Sequence, residues 1–253
     1  PCLVLAGCLV GLPVAVAQDK PKPPSAAVPD SWSKHLVWRS IGPANMGGRI
    51  VDLAINPSDP SMFWSATASG GLLKTVNNGT TFEHQFDKQS SVSIGAVAVS
   101  ASDPRVVWVG TGENNPRNSV SYGDGVYKST DGGKTWKHMG LRQSFQVGRI
   151  VVHPSDAETV YVGALGRLYG SNAERGVFKT TDGGEHWSAA NHGLGDLNTN
   201  DLQLDPLDPN ILYVATDGGV DKTIDGAQTW EPSTTGLSKG PVYDLALDPI
   251  TPL

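Results

Sequence analysis

The sequence predicts an all-β protein, a β-propeller of four-stranded antiparallel blades. Three observations predict it. A hairpin motif recurs four times, as Thr75–Phe82, Ser129–Trp136, Thr180–Trp187 and Thr223–Trp230. Its acidic or amide residue advances from Asn77 to Asp131, Asp182 and Asp225, in steps of 54, 51 and 43 residues. An apolar stretch ending in a Pro/Asp turn precedes each copy, at Asn56–Pro60, Ser100–Pro104, His153–Ala157 and Asp205–Pro209. A fifth such turn, Asp248–Pro252, has no hairpin after it. Four blades and the start of a fifth are therefore expected. Four short strands in about 40–55 residues is the period of a propeller blade. A lone blade cannot bury both its faces, so neighbours must stack around an axis.

Each repeat reads as four strands. In the second repeat Ser93–Val99 alternates in polarity and is the first strand. Asp103-Pro104 turns the chain into Val106–Gly110, which is rich in β-branched and aromatic residues. Gly125–Ser129 and Thr135–His138 flank the Asp-Gly-Gly turn as the third and fourth strands.

The hairpin has a physical logic. Asp131 is placed to accept backbone N–H groups across its own turn. Gly132 and Gly133 tolerate the positive φ of a tight hairpin. Trp136 is then free to lie between adjacent sheets. Asn77, Asp131, Asp182 and Asp225, with Phe82, Trp136, Trp187 and Trp230, are thus read as structural rather than catalytic. A carboxylate committed to its own turn is poorly available to a substrate.

The N-terminus has a different character. Leu3–Val16 is almost continuously apolar and ends in Ala15-Val16-Ala17 before polar Gln18-Asp19-Lys20. Residues 1–17 read as a secretory signal with a truncated start, cleaved after Ala17. The run is too short to span a bilayer, so no transmembrane span is expected. In a competing reading, Leu5-Ala6-Gly7-Cys8 is a lipobox and Cys8 carries a lipid anchor. The two cysteines, Cys2 and Cys8, both lie here. Cleavage after Ala17 leaves no thiol for disulfides or metal binding. Residues 18–35 include Pro21, Pro23, Pro24 and Pro29 and read as a linker. Blades are expected over residues 36–253. Leu36–Pro43 resembles the segments after each hairpin and is expected to be an orphan outermost strand that closes the ring.

Composition excludes some partners. The formal net charge is −6 and no basic cluster stands out, so no nucleic-acid partner is expected. The six histidines are scattered, not at metal-ligand spacing, and neither metal nor cofactor is expected.

With Ser129–Trp136 and Thr180–Trp187 in view, the chain resembles the bacterial-neuraminidase-repeat, or Asp-box, superfamily. The stretches Trp38–Gly48, Gly110–Asn118 and Gly123–Lys128 are similar to exported bacterial proteins with a sortilin-type propeller. That superfamily includes sialidases, xyloglucan hydrolases, sortilin receptors and a photosystem II assembly factor, so the resemblance implies fold more than activity. Sialidases carry an early Arg-Ile-Pro. Here Gly48–Val51 reads Gly-Arg-Ile-Val and recurs at Gly148–Val151, as a repeat element. The xyloglucan-hydrolysing propellers use two aspartates, one in a Thr-Asp-x-Gly-Gly turn of the first blade. The resemblance places Ala68, in Thr67–Gly71, at that position. Asp217 sits in a similar but shorter turn of the fourth blade, Thr216–Gly219.

Two long connections, Gly110–Gly125 and Gly163–Gly176, are the candidate binding loops. They offer Glu113, Asn115, Arg117, Tyr122 and Asp124, and Arg167 and Arg175. Against a binding role stands the reading that Glu113 with Arg117, and Glu174 with Arg175, are surface pairs. The favoured function is an extracytoplasmic binding module whose loops take a protein, peptide or glycan. The alternative is the N-terminal part of a xyloglucanase-like glycoside hydrolase, its carboxylates mostly outside this stretch. A spacer or assembly factor is the third reading.

Overall fold

A computed structural model describes residues 49–115, 120–233 and 239–248. The signal, Cys8, the linker and the orphan strand all lie outside them, as does Arg117. The described strands form four sheets of four antiparallel strands, each in simple chain order from the axis outward. Blade 1 is β1 (Ile50–Ile55), β2 (Phe63–Thr67), β3 (Leu72–Thr75) and β4 (Glu83–His84). Blade 2 is β5 (Ile94–Val99), β6 (Val107–Thr111), β7 (Val126–Ser129) and β8 (Lys137–His138). Blade 3 is β9 (Val147–His153), β10 (Asp156–Ala164), β11 (Gly176–Thr180) and β12 (Ser188–Ala189). Blade 4 is β13 (Thr199–Leu204), β14 (Leu212–Thr216), β15 (Gly219–Thr223) and β16 (Glu231–Pro232).

The inner strands β1, β5, β9 and β13 pack against one another in that order around the axis. The expected blade architecture is thus observed. The outermost strand is shorter than expected: in blade 2 it begins at Lys137, not Thr135. Thr135 is spent on the hairpin, donating from its backbone N and Oγ1 to Asp131 at 2.9 and 2.6 Å.

The hairpins show why they recur. Asp131 accepts from the backbone N–H of Lys134 and Thr135, and from Ser129 Oγ at 2.8 Å. Asp182 and Asp225 repeat the pattern with His186 and with Gln228 and Thr229. Asn77 reproduces it without charge: Oδ1 accepts from Thr81 N at 2.9 Å, and Nδ2 donates to Thr81 Oγ1. A buried hydroxyl closes each turn, Thr75, Ser129, Thr180 or Thr223, accepting the N–H of the residue four positions on.

Two side chains per junction tie one blade to the next. The indole N–H of Trp136 donates to the Gln85 carbonyl of blade 1 at 2.8 Å. Trp187 does the same to Met139 of blade 2 and Trp230 to Ala190 of blade 3. A lysine reaches back the other way. Lys74, Lys128 and Lys179 donate to the carbonyls of Gly132, Gly183 and Gly226 in the following blade's hairpin. Each of these ammonium groups also sits about 5 Å over an aromatic ring of its own blade, Trp64, Trp108 or Tyr161. Three apolar clusters fill the three junctions, around Trp64 and Phe86, Trp108 and Ile150, and Tyr161 and Leu202. Phe82 stands where the other hairpins have Trp. It is 42% exposed and packs edge-on against Phe63 of its own blade.

The hairpin carboxyls bind protons weakly. Hydrogen bonds from Thr135 pull Asp131 down to about 2, and similar bonds hold Asp182 and Asp225 well below the usual carboxylate range. A folded-state pKa below the unfolded value gives stability that is present above pH 3.8 and lost as pH falls toward 2. Asp131→Asn is therefore expected to flatten the acid limb of the stability–pH curve between these values, as read by urea melts. An unchanged acid limb would contradict the assignment.

Candidate functional site at the loop-bearing face

All four connections between second and third strands open on one face, with the connections between blades. Blades 1 and 4 have tight turns there. Blades 2 and 3 carry the long ones, so this face is built up asymmetrically over blades 2 and 3. Of the predicted loop residues, most are located by the structure. Glu113 is fully buried and ion-paired with Arg49, across the first junction. It therefore holds the loop base rather than presenting to solvent. Asn115 is exposed. Asp124 accepts from Ser90 Oγ, from Tyr127 Oη at 2.8 Å and from Thr111 Oγ1 at 3.3 Å. Burial opposes its ionisation, but these bonds and the nearby His138 outweigh it and hold the carboxyl below its ordinary value.

Arg175 is spent inside its own loop. It donates to the carbonyls of Leu165, Arg167 and Gly170 at 2.9, 2.7 and 2.6 Å and lies 3.5 Å from Asp196. Glu174 accepts instead from the Gln143 backbone at 2.6 Å, so the expected Glu174–Arg175 pair is not what holds these residues. Asn172 donates to the Gln143 carbonyl at 2.9 Å. These contacts dock the blade 3 loop onto the connection between blades 2 and 3.

That connection carries a residue the sequence reading did not single out. Phe145 has φ of +55°, and Gln146 N donates to the Ser144 carbonyl at 2.5 Å. Phe145 is thus the centre of a γ-turn of the rare, strained hand. Its carbonyl accepts from Gly123 N at 2.7 Å. A Cβ on Gly112 would collide with that same carbonyl, so glycine is required beneath it. The Phe145 ring meets Tyr122 edge-on at 5.5 Å on one side, and the Arg167 guanidinium covers it at 4.6 Å on the other. Tyr122 and Tyr169 are 52% and 73% exposed.

Asp217 lies on the same face, at the blade 4 turn. Asn198 and Asn200 donate to its two oxygens at 2.7 and 3.1 Å. Both oxygens of Asp217 are thus held by amide donors. Ala68, at the matching point of blade 1, is buried and donates its N–H to the Arg49 carbonyl.

A second charged group, also absent from the sequence reading, lies on the axis. Each inner strand bulges after its first paired residue, and the residue next to the bulge is Asp52, Ala96, Arg149 or Asp201. Arg149 lies 3.2 Å from Asp52 and 3.3 Å from Asp201. Asp52 and Asp201 also accept the N–H of Val97 and Leu245, each in the segment that follows in the ring. Burial pushes both carboxyls up, against the pull of Arg149. The repeated x-Asp-Leu at Asp52, Asp201 and Asp244 was the available signal. Among the described residues no three His, Cys, Asp or Glu side chains converge as a metal-binding group, and no helix is long and apolar enough to cross a membrane.

Solved structures share this fold. An ancestral GH74 enzyme superposes with a TM-score of 0.57 at 21% identity, covering 73% of this chain and 24% of that one. The GH74 enzyme of Niastella koreensis gives 0.56 at 24% identity, over 71% and 28%. The fold is a β-propeller. The Myceliophthora β-propeller domain of Cps50 (Swd1) gives 0.54 at 12% identity, which shows how widely the fold is shared. Among curated proteins, the xyloglucanase Xgh74A of Acetivibrio thermocellus is 29% identical over 43% of this chain and 15% of its own length. The chain thus spans under a third of these GH74 relatives. No protein-family model matches the chain.

Proposed function

We propose that this chain is part of an extracytoplasmic, polysaccharide-handling propeller of the xyloglucanase kind, with the glycan held on the loop-bearing face. The observation that carries the reading is the gathering of exposed Tyr122, Tyr169 and Arg167 on the face that also holds Asp217. Aromatic rings take the apolar faces of pyranoses, and a few fixed polar groups orient them. The sequence match to a xyloglucanase supports the same substrate class. Asp217, held at the blade 4 turn by Asn198 and Asn200, is the carboxyl placed to serve as a general base or nucleophile.

Xyloglucan oligosaccharides are expected to bind saturably in calorimetry, and Tyr122→Ala to weaken binding about tenfold. Where sugar release is detected, Asp217→Asn is expected to lower turnover by roughly a hundredfold or more while binding persists. Full turnover in that variant would remove Asp217 from the chemistry. Saturable binding without release would instead favour recognition alone, the reading that the buried Ala68 supports.

A further inference from the structure

The Arg167 guanidinium is packed on an aromatic ring and has unused donors. It lies over Phe145, and among the described residues it makes no hydrogen bond and no ion pair. Neighbouring polar groups do not compete for it. Arg175 is consumed by three carbonyls, Glu174 by Gln143 N, and Asp124 by Ser90, Tyr127 and Thr111. Arg142, 69% exposed, is paired with Asp124 at 4.0 Å and does not compete with Arg167 for a ligand. Packing on Phe145 restrains Arg167, and a guanidinium with unused N–H groups can take a carboxylate through two parallel bonds. Beside it, Tyr122 and Phe145 meet at 70° and make an aromatic corner. The strained turn at Phe145 is what pushes this ring between its two partners. Strain held in place by a glycine bed and two hydrogen bonds is the kind stored at ligand sites.

We propose that Tyr122, Phe145 and Arg167 form a subsite for a uronate residue of an acidic polysaccharide, its pyranose against the aromatic corner and its carboxylate on Arg167. The assignment rests on the glycan reading above and moves its ligand from neutral xyloglucan, whose backbone offers no carboxylate for this arginine, to an acidic polysaccharide.

The test is titration of the chain with trigalacturonate and triglucuronate, each beside its fully methyl-esterified form, which keeps the skeleton and removes the charge. At least one acid is expected to bind about tenfold more tightly than its ester, with the advantage shrinking as salt is raised. Arg167→Gln is expected to erase that advantage, so that acid and ester bind the variant equally. Arg167→Lys should restore only part of it, because an ammonium lacks the fork. Arg167 is exposed, and an unaltered melting temperature confirms the fold of both variants. Equal affinity for acid and ester, or an Arg167→Gln variant that still prefers the acid, overturns the uronate subsite. Equal binding of triglutamate overturns it in favour of an acidic peptide. Binding of a neutral xyloglucan heptasaccharide without any uronate preference defeats this subsite alone. Failure of every saccharide defeats the glycan reading with it.

Discussion

Trp230→Ala is expected to destabilise the protein by about 3–5 kcal/mol, the range for deleting a buried aromatic side chain. Trp230 is 4% exposed and packs among Tyr161, Val177, Leu194 and Leu212. Its indole N–H donates across the blade 3–4 junction to the Ala190 carbonyl at 2.8 Å. Removal therefore opens a cavity and takes the donor from the part-buried Ala190 carbonyl. Trp230→Phe separates the two effects. It keeps most of the apolar volume and loses the donor, and about 1–2 kcal/mol is expected. Urea melts of both variants decide the matter, and hydrogen exchange should show β13–β16 loosening first. Equal losses in the two variants would mean that the hydrogen bond, not the packing, dominates the junction.

The sequence made the hairpins legible because their chemistry is local. Asp131, Gly132, Gly133 and Thr135 all act within five residues, so a repeated string reports a repeated structure. Trp136 was legible as an inter-sheet residue for a related reason: a large aromatic at a fixed offset from a turn needs a neighbour to cover it. The partner atoms were not legible. Nothing in the string Trp136-Lys137 names the Gln85 carbonyl, 51 residues away. The lysine latches escaped for the same reason, since Lys74, Lys128 and Lys179 read as ordinary exposed charges on third strands.

The candidate site divides along the same line. The long loops stand out in the sequence as departures from the repeat, and Tyr122 and Arg167 stand out within them. Glu113 stands out by the same rule, yet it is buried, because its partner Arg49 comes from the preceding blade and 64 positions back in the chain. Phe145 does not stand out, because a single aromatic in a short connection carries no pattern. Its role depends on a backbone turn and on two loops arriving from either side. Loop composition thus indicates where a ligand face lies, whereas the split between presenting and bracing residues depends on contacts between blades.

The axial charges give the second large effect. Asp52 and Asp201 have side chains only 11% and 6% exposed, and Arg149 lies between them. Arg149→Met keeps the apolar stem and removes the one cation. Breaking a buried pair from one side costs about 3–5 kcal/mol, and the lower end, about 3 kcal/mol, is expected because Arg149 is itself 34% exposed. The loss must depend on pH. Burial already raises both carboxyls above 3.8 in the folded state, and losing Arg149 raises them further. A folded-state pKa above the unfolded one means that the native protein binds the extra proton, so stability falls as pH rises through that window and recovers as pH falls toward 3.8. Arg149→Met should therefore be most impaired near neutrality and approach the parent protein in acid. This trend is opposite to that of the hairpin aspartates, whose contribution disappears in acid. Denaturant melts of the variant and parent across pH 4–8 measure the difference directly. A pH-independent deficit would assign Arg149 to packing alone. A deficit that grows in acid would reverse the sign and remove the two aspartates as its cause.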